Sequence, residues 1–156
     1  VVSAAADDRV RVLTVRQPWA WAIVTGLKDV ENRSWRLRWP HPLLVHASLR
    51  DDPAGWEFLD VHGIAAPNPC GISRGKIVGA MAVGAVTSGP HPSFWAFPRL
   101  YHWSITAAVA AERPLAAAGR TGLWPAPTGW QAAFDGPRQE AVVAALGGRP
   151  QDARLF

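Results

Sequence analysis

Residues 13 to 35 read Leu-Thr-Val-Arg-Gln-Pro-Trp-Ala-Trp-Ala-Ile-Val-Thr-Gly-Leu-Lys-Asp-Val-Glu-Asn-Arg-Ser-Trp, an order that predicts a strand, a short helix, a turn and a second strand. Pro18 suits the first helical position, where its missing N–H loses no partner, and Gly26 suits the position just past the end, where φ is often positive. The helix between them has about two turns, too few to stand alone, so the shared face of Trp19, Ala22 and Ile23 must hold it by packing. Arg16 and Gln17 sit at its N-terminal mouth, where free backbone N–H groups favour an anion. Lys28, Glu31, Asn32 and Arg33 follow closely, and this density of charge beside a nearly charge-free helix marks a candidate site. A regular strand over Asp29 to Trp35 places Glu31 and Arg33 on one face and Val30 and Asn32 on the other. An ion pair between Glu31 and Arg33 then either orients the strand or takes part in binding.

Outward from this stretch, Val10 to Val15 is the first strand and Val1 to Arg9 an Ala- and Asp-rich arm expected to be disordered. Arg36-Leu37-Arg38-Trp39-Pro40 is a basic, aromatic loop leading to the rigid His41-Pro42. In the strand Leu43 to Ser48, Leu43, Val45 and Ala47 face a core, leaving His46 and Ser48 on the opposite face with Leu44 as polar lining of a groove. Asp52-Pro53 caps and starts a helix that Gly63 ends. Lys76 to Val86 is apolar on both faces and reads as a central strand. Phe94, Trp95 and Phe97 crowd a Pro-bounded loop, read as a cover for an open barrel end. Strands follow at Tyr101 to Ile105, near Arg113 to Ala117 and at Thr121 to Trp124. Gly129 to Phe134 and Arg138 to Leu146 then suggest helices, before a loose tail.

The charge is unevenly placed. Residues 11 to 50 carry seven basic side chains against two acidic ones, while the rest of the chain has nine against ten, so the whole net charge of +4 belongs to the first third. Trp19, Trp21, Trp35 and Trp39 are interleaved with it. Cations for phosphates and aromatic faces for bases are the materials of single-strand and flipped-base recognition. The single Cys70 excludes an internal disulfide and a cysteine-rich zinc site. There is no GxxxxGK[ST] loop, no paired-His motif and no apolar run near the ~20 residues of a membrane span. A soluble, cytoplasmic protein without a cofactor is expected.

Arg16-Gln17-Pro18-Trp19-Ala20, Gly26-Leu27-Lys28 and Glu31-Asn32-Arg33-Ser34-Trp35 resemble the ASCH domain family, a branch of the PUA-like β-barrels. Leu44-Val45-His46-Ala47-Ser48, Gly75-Lys76-Ile77-Val78-Gly79 and Gly122-Leu123-Trp124 continue the resemblance in the same order. It implies an α+β fold, a PUA-like β-barrel of five or six mixed strands with flanking helices, over residues 10 to 127, followed by a helical extension over 128 to 156. It also implies nucleic acid, RNA or DNA, as the partner, since ASCH domains are described as nucleic-acid binders. A few members are nucleases or amidohydrolases of a modified nucleoside. In the amidohydrolase branch the lysine of the Gly-x-Lys motif matches Lys28, whereas the catalytic threonine three residues later corresponds to Glu31 here.

The expectation is therefore a basic cleft between the first helix and the barrel. Arg16, Arg36, Arg38 and Arg50 contact phosphates, and Lys28 and Arg33 belong to the same nucleic-acid-binding set. Gln17 and Asn32 meet polar edges, Trp19 or Trp35 walls the groove, and His46 and Ser48 line it. The alternative is a small hydrolase acting on RNA or a modified nucleoside, with Lys28 as an activated amine and Glu31 as acid or base. For those two to share a site, Lys28 has to lie in the turn after Gly26 and not within the strand.

Overall fold

The computed structural model describes residues 7–38, 42–136 and 140–147. Strand β1 (Asp7–Val15) leads into helix α1 (Trp19–Val24), and β2 (Val30–Arg33) follows. Then come β3 (Pro42–Ala47), α2 (Pro53–Val61), β4 (Lys76–Thr87), β5 (Tyr101–Ala116), β6 (Leu123–Ala126) and α3 (Glu140–Gly147). The C-terminal end of α1 forms as its residues require, whereas Pro18, expected at the first helical position, follows a cis peptide bond from Gln17 and stands as the N-cap ahead of Trp19. Gly26 has φ +81°, and this left-handed residue returns the chain so that the Lys28 backbone N–H donates to the Ala22 carbonyl at 2.9 Å.

The six strands form one mixed sheet in the order β2-β5-β4-β3-β1-β6, in which only β1 and β3 are parallel. The sheet is open, which corrects the expected barrel. Closure would need β2 to pair with the far edge strand, β6, but among the described residues β2 pairs only with β5 and β6 only with β1. In place of a ladder, the Arg33 Nη2 reaches across the gap and donates to the Thr14 carbonyl at 2.9 Å. The mouth left between β2 and the end of β1 is where the candidate site lies.

Alternation along the strands fills both faces. Leu13, Val15, Leu43, Val45, Ala47 and Met81 pack beneath α1. Val10, Val12, Leu44, Ile77 and Trp124 pack on the other face against Trp130, Phe134, Val142 and Leu146. Leu44 is therefore a core residue covered by the C-terminal segment, and His46, expected to line a groove, is enclosed instead by Ala117, Gly119 and Trp124. A third cluster, of Val30, Leu59 and Trp95, sits under α2.

Other expectations shift at their boundaries. Residues 7–9 of the arm belong to β1, whereas 1–6 lie outside the described residues, as do Trp39, Pro40, His41, Arg138 and the tail beyond 147. The two strands read at 101–105 and 113–117 are one strand, β5, bent by register shifts against β4. The segment 129–134 is a 3₁₀ turn over Trp130–Ala133. No helix among the described residues is long and apolar enough to cross a membrane.

Candidate functional site

At the mouth between β1 and β2 lies a cavity of about 640 Å³. Its walls come from α1, β2, the loop before β5 and the loop before β6. The sequence-predicted Arg16, Trp19, Lys28, Glu31, Asn32, Arg33, Trp35 and Ser48 all border it.

Trp19 forms one wall. Its Nε1 donates to Asp52 Oδ2 at 2.8 Å, while Asp52 Oδ1 accepts from the Ala54 backbone N–H at 3.1 Å and so caps α2. One carboxylate thus fixes both the wall and the start of α2. Gly55 completes the seat, because a Cβ there would lie 2.8 Å from the Trp19 ring. The Trp19 ring also meets Phe58 and Phe97 edge-on, with centroids 5.7 Å away in each case. Trp35 forms the opposite aromatic wall, set edge-on against the fully buried Trp103 at 4.8 Å.

The floor is ionic. Lys28 is 2% exposed, lies in the turn ahead of β2, donates from Nζ to the Val30 carbonyl and stands 5.4 Å from the Trp19 ring centroid. Burial pushes its ammonium below the ordinary lysine value; Glu31 opposes this, Arg33 adds to it and Asp29 opposes it. Glu31 is 5% exposed. Its Oε1 accepts from the Asn32 backbone N–H at 2.9 Å and lies 3.6 Å from Arg33 Nε, whereas Oε2 has no hydrogen-bond partner among the described residues. Lys28 makes no ion pair with Glu31 among those residues. A buried carboxylate oxygen without a partner costs on the order of 1–3 kcal/mol or more, so this arrangement is not explained by stability.

Asn32 borders the cavity but is spent on the frame. Its Nδ2 donates to the Trp95 carbonyl and its Oδ1 accepts from the Phe97 N–H, both at 2.9 Å. Gln17 is buried away from the cavity, donating from Nε2 to the Ser73 carbonyl and accepting at Oε1 from the Trp21 N–H. Neither amide has the reach expected for a polar edge. His46 is likewise internal. Its Nε2–H donates to the Ala117 carbonyl at 2.7 Å, the ring lies on Trp124, and burial pushes its pKa down against that hydrogen bond. Ser48 borders the cavity, its Oγ accepting from the Arg50 N–H.

Arg36, Arg38 and Arg50 are exposed and do not border the cavity. Leu37 is buried between the first two, which anchors the loop and turns both arginines outward. Arg120, Thr121 and Gly122 on the far wall escaped the sequence reading, as did the inner role of Phe97. Their only sequence signal was adjacency, to the Gly-Leu-Trp motif and to the aromatic loop. Among the described residues no group of three or more His, Cys, Asp or Glu side chains could hold a metal ion.

A family model described as ASCH domain matches residues 13–103, more than half of the chain, and the chain belongs to that family. A search of curated proteins found no match.

Proposed function

We propose that this ASCH domain binds nucleic acid, RNA or DNA, through the mouth between β1 and β2, with most of the affinity from phosphate contacts. Domains of this family are broadly associated with RNA binding. The observation that carries the finer reading is the cavity itself: aromatic walls at Trp19 and Trp35 and a charged floor, all from the third of the chain that holds the excess positive charge, with Arg16 from that third and Arg120 from outside it at the edges. A strand laid along Arg16, Arg36, Arg38 and Arg50 places its phosphates on exposed cations while one unpaired base turns toward the aromatic walls. Binding is therefore salt-dependent, and it needs unpaired bases.

The test is a titration of matched single- and double-stranded RNA and DNA oligonucleotides at two salt concentrations. Changing Arg36 and Arg38 to Ala is expected to weaken binding to every sequence alike and to lower the salt slope by about one per lost phosphate contact. An unchanged slope moves the phosphate path elsewhere.

A second reading rests on a different observation. Lys28 lies in the turn and shares the cavity with Glu31, which meets the condition for the two to act together, and its burial favours a neutral amine. On this reading the domain hydrolyses RNA or a modified nucleoside. Metal-free turnover of RNA or of N4-acetylated cytidine, abolished by Lys28→Arg with binding intact, would favour it over simple binding.

A further inference from the structure

The deep polar groups of the cavity make a short inventory. Lys28 supplies N–H donors beyond the one given to Val30, and Arg33 carries N–H groups beyond the one given to Thr14, with its Nε lacking a hydrogen-bond partner. Glu31 Oε2 is the one unpartnered buried acceptor in the cavity among the described residues. The hydroxyls of Ser34 and Thr121 are on exposed residues at the rim, and Ser48 Oγ and both Asp52 oxygens already accept from the protein. The floor therefore offers two cationic donor groups and a single acceptor group, the Glu31 carboxylate.

We propose that the floor reads the edge of a pyrimidine base, with Glu31 as the residue that sets the preference; the proposal rests on the nucleic-acid reading above. The polar edge of uracil, thymine or cytosine carries one N–H donor group and two acceptors, which is the complement of one carboxylate oxygen and two cations. Guanine presents N–H donors at two adjacent positions but only one acceptor, so it leaves one of the two cations without an acceptor. Adenine presents one donor and one acceptor, so it leaves one cation facing a C–H. Leaving a buried polar group unpaired is the strongest means a site has of rejecting a ligand. The aromatic walls are indifferent to the choice, because every base has a π face. The count also accounts for the free carboxylate oxygen, which the base N–H satisfies.

The experiment uses single-stranded RNA heptamers of adenosine with one central position varied among U, C, A, G and 3-methyluridine, titrated against the full chain. The central U or C is expected to bind about tenfold more tightly than A or G, in the range of one wrong base in a specific site. 3-Methyluridine, which lacks the N3–H, is expected to fall to the level of A. In Glu31→Ala, shown by its melt to be folded, the advantage of a central U or C over a central A is expected to vanish. Equal, salt-dependent binding of all heptamers, a purine preference, or tight binding of 3-methyluridine overturns the pyrimidine assignment and leaves nucleic-acid binding standing. No binding of any heptamer, or of the oligonucleotides above, overturns both. Because the 3-methyluridine arm uses the unaltered protein, it decides the matter even if Glu31→Ala fails to fold.

Discussion

The frame and the floor of the cavity are built from the same kinds of residue and use them oppositely. In the frame, Gln17, Asn32 and Asp52 are polar side chains whose hydrogen-bonding atoms are matched to protein groups both near and far along the chain, and Trp103 is sealed from solvent, its indole N–H without a partner among the described residues. In the floor, Lys28, Glu31 and Arg33 are buried or half-buried charges with donors and one acceptor left over. Polarity beside a cavity is thus no guide to function. Spare hydrogen-bonding capacity on a charged group that borders the cavity is the better guide, since a buried group without a partner costs stability unless a ligand supplies one.

The largest effect that could break this contrast lies at the paired tryptophans. Trp103→Ala, a core truncation, is expected to cost ~3–5 kcal/mol in urea unfolding and to abolish binding only through unfolding. Trp35 packs on it by one edge and borders the cavity, so Trp35→Ala is expected to cost only about 0.5–1.5 kcal/mol of the edge-on contact while weakening binding of the folded protein. Equal destabilisation by both would assign Trp35 to the frame.

Next comes Asn32→Ala, which strands the Trp95 carbonyl and the Phe97 N–H. A loss of roughly 1–3 kcal/mol is expected, with the salt slope of binding unchanged because Asn32 meets no phosphate. A stable Asn32→Ala protein that no longer binds would move Asn32 from frame to floor.

The smallest effect has the opposite sign. Lys28→Met is expected to raise the melting midpoint by roughly 2–4 °C for each kcal/mol recovered from ammonium burial, and to lose binding. The lowered folded pKa of Lys28 means that stability from this residue is present above its unfolded pKa and lost as pH falls through the folded value. Wild-type stability should therefore rise relative to Lys28→Met at alkaline pH. A Lys28→Met protein that melts lower at neutral pH would make Lys28 part of the frame.

Helix α1 with its terminal Gly26, the cap at Asp52 and most strand positions are legible in the sequence because they are set by contacts within a few residues. So are the members of the cavity drawn from residues 16 to 35, which a strand, helix, turn and strand necessarily bring close. What local reading misassigned was exposure. Leu44 and His46 fall on the groove side of an alternating strand, and only distant segments turn that side into core, the C-terminal segment at Leu44 and Ala117, 71 residues on, at His46.

The chain by itself determined the organising stretch, the family and the concentration of charge, all consequences of side-chain order and backbone preference over one or two turns. Tertiary structure alone decided that the sheet stays open, because its two edge strands, β2 and β6, do not pair among the described residues, and it decided which polar groups are spent. Gln17 finds Ser73 and Asn32 finds Trp95, at separations of 56 and 63 residues, whereas Glu31 Oε2 finds no partner among the described residues. Hydrogen-bond satisfaction depends on which distant backbone arrives at a given atom, and no local periodicity encodes that arrival.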